Sequence, residues 1–142
     1  MDLQGRAAVV TGGGRGIGSA IARILAETGA TVVVSARSVD EIESVAKSLQ
    51  SEGYEAHAIP CDVADETSVK MMAQEASRRF GDIDIVVNNA GIARSNPVKG
   101  LTLEEWDRIL SVNATGTFLC TRAFLGGMIE RGWGRVINVA SV

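Results

Sequence analysis

The stretch Val9-Val10-Thr11-Gly12-Gly13-Gly14-Arg15-Gly16-Ile17-Gly18 reads as the end of a buried strand joined to the start of a helix by a glycine-rich turn. A helix N-terminus carries unpaired N–H groups and the positive end of the helix dipole, so it favours an anion such as a pyrophosphate. Gly12, Gly16 and Gly18 follow a G-x-x-x-G-x-G spacing and fit no register of the dinucleotide fingerprint G-x-G-x-x-G. An empty glycine-rich turn is the competing reading of this segment alone.

Working outward, Ala7 to Val10 form a short apolar run, as expected of a strand covered on both faces. Ile17, Ile21, Ile24 and Leu25 then recur at helical spacing and predict the face that packs on this strand, with Gly29 ending the helix. The alternation continues down the chain. Thr31 to Ala36 is a second strand, and Ser38 with Glu41 reads as a capping box opening a helix whose stripe is Ile42, Val45, Ala46 and Leu49, before Gly53 stops it. Ala56 to Pro60 is a weaker third strand. Asp65 caps a helix with Val69, Met72, Ala73, Ala76 and Phe80 on one face and Gly81 at its end.

Asp84 to Val87 is the fourth strand, and Thr102 with Glu105 forms another capping box, opening an unusually long helix to about Arg131. Arg135 to Ala140 is the fifth strand. Strands alternating with helices predict an α/β fold with a doubly wound parallel sheet.

With 142 residues, 46% of them hydrophobic, the chain has the length of one packed domain. A net charge of −3 gives no basic footprint for nucleic acid, and Arg78-Arg79 reads as a solvated helix face. Cys61 and Cys120 lack metal-ligand spacing and read as buried free thiols of a reducing compartment, with cytoplasm the expected location. No metal site is expected. The N-terminus has no secretory pattern and no apolar run suffices to span a bilayer, so no membrane partner is expected.

Ligands of open parallel sheets bind beyond the carboxyl ends of the strands. Thr11, Arg37, Asp62, Asn88 and Ser141 all fall at or just after predicted strand ends and are expected to face one crevice. Asp62 can accept a hydrogen bond from an adenine amino group, although an aspartate there also serves as a turn or cap. The small Ala90-Gly91 pair lets a ribose or adenosine approach the backbone, while Asn88 and Asn89 can pin neighbouring loops; an ordinary turn is the alternative. Second-strand chemistry bears on cofactor choice. An acid there would hold a ribose 2′-OH and repel a 2′-phosphate, whereas an arginine would pair with the phosphate. Here the strand ends Ser35-Ala36-Arg37-Ser38, with Arg15 as a second cation, and Asp40 and Glu41 are expected to point away on the helix; an Arg37 that only snorkels at the strand end is the alternative and leaves the preference open.

These motifs resemble the short-chain dehydrogenase/reductases, nicotinamide-dependent enzymes with a Rossmann-like fold. Thr11 to Gly18, including Gly14 and Ile17, matches that family's TGxxxGIG, Asp62-Val63 its adenine-side aspartate, and Asn88-Asn89-Ala90-Gly91 its NNAG segment. Asn113 sits at its helix asparagine, and Gly134 to Ser141 matches the strand leading to its active serine. The resemblance implies NADP(H), because Ala36 stands where NAD-preferring members place an acid. It implies an oxidoreductase moving a hydride between nicotinamide and a small ketone or secondary alcohol, with 3-oxoacyl-thioester reductases similar in pattern.

In that reading Ser141 polarises the carbonyl and Asn113 holds a water linking the family's lysine to solvent. The tyrosine and lysine of the YxxxK motif would follow Val142, and neither Tyr54 nor Lys99 is placed to replace them; His57 reads as structural. Residues 1–142 are therefore expected to be an incomplete dinucleotide-binding domain, truncated after the fifth strand and inactive alone, with that strand an exposed edge. A non-catalytic NADP(H)-binding module or an inactive fragment is the alternative. At full length a homo-oligomer, dimer or tetramer, is expected.

Overall fold

A computed structural model describes residues 2–93 and 97–140. Five strands form one parallel sheet, β1 (Ala7–Thr11), β2 (Thr31–Ser35), β3 (Ala56–Ala58), β4 (Ile85–Asn88) and β5 (Arg135–Asn138), in the order β3-β2-β1-β4-β5. The order reverses between β1 and β4. Val9 pairs with Val33 on one side and Val86 on the other, and Val86 pairs in turn with Val136. The α/β, doubly wound reading is thus realised. β3 and β5 are each two residues shorter than the sequence pattern suggested, and β4 starts one residue later.

Strand residues alternate between two cores, as period-two side chains must. Val9, Val33 and Val86 face α3 (Glu66–Phe80) and α5 (Gly116–Arg131), meeting Met72, Ala76 and Phe124. Val10, Val32, Val34 and Val87 face α1 (Gly16–Glu27) and α2 (Val39–Ser51), meeting Ala22, Ala26, Ile42 and Leu49. β1 is buried along its whole length. At its N-terminal end Asp84, itself buried, accepts hydrogen bonds from the Ala7 amide and from Arg6 Nη1, both at 3.1 Å, tying β1 to the start of β4.

The packing face of α1 differs from expectation. Gly18, Ala22 and Ala26 are buried, Ile21 and Leu25 pack beside them, and Ile17 and Ile24 lie 66% and 59% exposed. Small residues occupy that face because the helix approaches the sheet too closely for larger ones. The Asp65 cap forms, its carboxylate accepting from the Thr67 amide, and Gly81 ends α3. The Thr102–Glu105 capping box forms as well. It opens α4 (Leu103–Leu110), which continues into α5 through a π-helical turn over Ser111–Thr115, so the long helix is present but carries one inserted residue.

β5 stands at one end of the five-stranded order, with Ile137 46% exposed. Arg78 and Arg79 both pair with Glu75 on the surface, and His57 stacks on Phe80 with ring centroids 4.4 Å apart. Among the described residues no helix is long and apolar enough to cross a membrane, and no acidic, histidine or cysteine cluster could hold a metal.

Cys61 and Cys120 are free and buried in the α3/α5 core. Burial pushes both thiols up, Cys120 from the ordinary 9.0 to about 12, with the neighbouring Cys61 adding to the rise. A raised folded-state pKa leaves stability intact below pH 9 and removes it as pH climbs towards 12, because only the unfolded chain then releases the proton. Stability measured by urea unfolding is expected to fall across that window by up to about 1.4 kcal/mol per pH unit on account of Cys120. Cys120→Ala should flatten the fall; an unchanged slope would contradict this assignment.

Candidate dinucleotide cleft

Beyond the carboxyl ends of β1, β2 and β4 lies a cleft of about 680 Å³. Its walls bring together residues far apart in sequence: Gly12, Gly14, Arg15, Gly16, Ile17 and Gly18 from the first turn, Arg37 after β2, Asp62 and Val63 after β3, and Asn89, Ala90 and Gly91 after β4. Twelve of the expected binding positions thus share one surface. This is the place where strand order reverses, as open α/β sheets require of a ligand site.

The first turn is shaped for an anion. Arg15 occupies the N-cap of α1 in extended conformation without a side-chain cap, and the first helical turn contains no acid. Its amides therefore meet the cleft with the helix dipole behind them. Gly16 has φ +55°, in the left-handed region, and a Cβ built there would meet nothing within 4 Å. Gly18 is the opposite case: its Cβ would overlap the Gly12 carbonyl oxygen, so only glycine lets the helix start this close to β1.

Thr11 and Asn88 do not open onto the cleft, contrary to expectation. The Thr11 hydroxyl donates to the Val87 carbonyl at 3.2 Å and accepts from the Asn89 and Ala90 amides, both at 3.1 Å. Asn88 is buried and donates to Thr121 Oγ1 at 3.0 Å and Asn138 Oδ1 at 2.9 Å. Asn89 Nδ2 in turn donates to the Thr11 and Gly12 carbonyls, both at 3.1 Å. These polar groups stitch β1, β4 and the two loops together; Thr11 and Asn88 set the shape of the cleft from behind, and Asn89 both braces it and lines it. A buried strand-end donor finds its partner locally before it can offer itself to a ligand, while Asn88 Oδ1 is buried without a partner.

Asp62 forms the turn expected of it and stands on the cleft wall. Its Oδ1 accepts from the Ala64 amide at 3.0 Å, an Asx turn, while the residue lines the cleft. Asn113 lies in the π-helical turn, with its amide clamped on the Ile92 main chain: Oδ1 accepts from Ile92 N–H at 2.8 Å and Nδ2 donates to Ile92 O at 2.9 Å. The inserted residue thus re-aims this side chain at the loop following Gly91. Ser141 lies outside the described residues.

Glu41, expected to point away on the helix, is likewise placed differently. The Ser38 side chain makes no cap bond, and Glu41 turns instead to the cleft wall, its Oε1 3.8 Å from Arg15 Nη1. Ser38, Cys61, Ile92 and Val112 also line the cleft without having been anticipated there. The only signal for Glu41 was its charge, opposite to that of Arg15, on the helix that follows the neighbouring strand.

A family model for short chain dehydrogenases matches residues 6–142. An uncharacterised oxidoreductase of Thermotoga maritima is 43% identical over 141 residues, spanning 98% of this chain and 54% of its own length. The 3-oxoacyl-(acyl-carrier-protein) reductase of Aquifex aeolicus is 40% identical over 143 residues, spanning 100% and 58%. Among solved structures, a gluconate 5-dehydrogenase from Burkholderia cenocepacia in complex with NADP and tartrate superposes with a TM-score of 0.92 at 40% identity, covering 99% of this chain and 55% of that one. The chain spans about half the length of the curated relatives it matches.

Proposed function

Because the chain belongs to the short chain dehydrogenase family, we propose that its cleft binds NADP(H) as part of an oxidoreductase that interconverts a ketone and a secondary alcohol. The observation that carries the cofactor reading is that Arg15 and Arg37 share the cleft wall with Ala36, where an acid would exclude a 2′-phosphate. NADP in the superposing gluconate 5-dehydrogenase supports it.

The residues present fit such a ligand. Gly12, Gly14, Gly16, Ile17 and Gly18 would receive the pyrophosphate at the start of α1, where the open space at Gly16 admits it. Arg15 and Arg37 would take the 2′-phosphate by charge-assisted hydrogen bonds. Asp62 and Val63 would border the adenine, and Asn89, Ala90 and Gly91 the adjoining ribose. When bound, the nicotinamide supplies the hydride exchanged with the carbonyl carbon.

For the chemistry, Ser141 is proposed to donate a hydrogen bond to the carbonyl oxygen, and Asn113 to order the loop after Gly91 on the substrate side. Tyr54 packs in the α1/α2 core and is no candidate for proton delivery. This chain's own residues therefore account for dinucleotide binding, and no tyrosine or lysine lines the cleft among the described residues. The 3-oxoacyl-thioester class is the substrate reading favoured by the Aquifex relative, and a homo-oligomer is proposed for the whole protein.

Arg37→Ala tests the cofactor assignment. NADPH affinity is expected to fall about tenfold, the cost of one charge-assisted contact, with NADH changed less than about twofold. Titration by nicotinamide fluorescence reads both. Equal losses for the two dinucleotides would remove the 2′-phosphate role.

A further inference from the structure

Resting on the NADP(H) reading above, we propose that Glu41 tunes cofactor preference by competing with the 2′-phosphate for Arg15. Glu41 acts through the arginine, as a positioning residue, and weakens the discrimination of NADP(H) against NAD(H).

Three observations converge on it. First, the carboxylate is not engaged within its own helix, since the Ser38–Glu41 capping box that would have tied it to the start of α2 does not form. Second, it is held where it matters. Ile42 beside it is fully buried and anchors the first turn of α2, and Glu41 Cβ lies 3.0 Å from where a Cβ on Gly14 would stand, so the side chain rests against the phosphate-binding turn. Third, its Oε1 is 3.8 Å from Arg15 Nη1, and both residues line the cleft.

The charges decide the direction of the effect. The cleft wall carries the cations Arg15 and Arg37 and the carboxylates Asp62 and Glu41. A phosphate arriving at Arg15 must displace the Glu41 carboxylate or accept its repulsion, whereas a ribose 2′-OH meets neither demand. The Arg15 and Glu41 side chains are 84% and 42% exposed, so their pair is weak and displaceable. Glu41 therefore moderates the preference and does not abolish it.

The test is a double-mutant cycle read by NADPH and NADH dissociation constants at low ionic strength, using the wild-type protein, Glu41→Gln, Arg15→Gln and the double variant. Glu41→Gln is expected to tighten NADPH about three- to fivefold and to leave NADH within about twofold. In the Arg15→Gln background the gain should vanish, and salt near about 1 M should shrink it by screening. A merely structural role for Glu41 would move both dinucleotides together.

An unchanged NADPH-to-NADH ratio in Glu41→Gln would overturn the proposal while leaving the cofactor site standing, as would an equal gain without Arg15. Wild-type protein that binds neither dinucleotide, or whose preference ignores Arg15 and Arg37 alike, would overturn the cofactor reading and this inference with it.

Discussion

Gly18→Ala is expected to destabilise the protein by about 2–3 kcal/mol, a large loss for the addition of one methyl group. In the middle of an exposed helix the same change would stabilise by up to about 1 kcal/mol. Here the new Cβ would overlap the Gly12 carbonyl oxygen and crowd Asn89 Nδ2, which are backbone and a side chain already committed to the Thr11 and Gly12 carbonyls. Neither can retreat cheaply. Relief would mean lifting α1 from the sheet, where Ala22 and Ala26 are buried against β1 and β2. The urea midpoint measures the loss; a variant as stable as the wild type would show that the helix does not sit this close to β1.

Gly16→Leu should behave differently, sparing the fold and removing the ligand. A leucine at φ +55° costs about 1–2 kcal/mol of backbone strain. Its Cβ meets no protein atom within 4 Å, and Gly16 lines the cleft beside the helix N-terminus, where the pyrophosphate would approach. NADPH affinity is expected to drop by about 100-fold or more, equivalent to about 2.7 kcal/mol of lost contact. Calorimetric binding and thermal melting, measured on the same sample, separate the two effects. Unchanged binding would remove the anion site from the first turn.

The contrast between these two glycines shows where the sequence was informative. The architecture was legible because each strand is a short apolar run, each helix has its own stop, and glycine separates them at β1. The cleft was legible for a related reason: its residues cluster at strand ends, which topology must bring together. What escaped reading was non-local. Ile17 and Ile24 looked like core because hydrophobic spacing favours large side chains, whereas the close helix–sheet approach selects the stripe Gly18, Ala22 and Ala26.

Glu41 was hidden by a competing local explanation. Ser-x-x-Glu is a good capping pattern, and nothing within α2 announces that Arg15, from another element, will draw the carboxylate across. Thr11 was assigned to the ligand and Asn88 to the crevice because of their position, but their burial turns them to neighbouring strands and loops, the pinning role also expected of Asn88. The π-helical turn around Asn113 has no sequence signature, since one inserted residue leaves the apolar pattern of the long helix almost unchanged.

The most direct test of the cofactor assignment is a calorimetric titration of the wild-type protein with NADPH and, in parallel, with NADH. The arrangement of Arg15, Arg37 and Ala36 around the α1 N-terminus predicts saturable binding of one NADPH per chain, about tenfold tighter than NADH. No saturable heat with either dinucleotide, or NADH binding as tightly as NADPH, would contradict it.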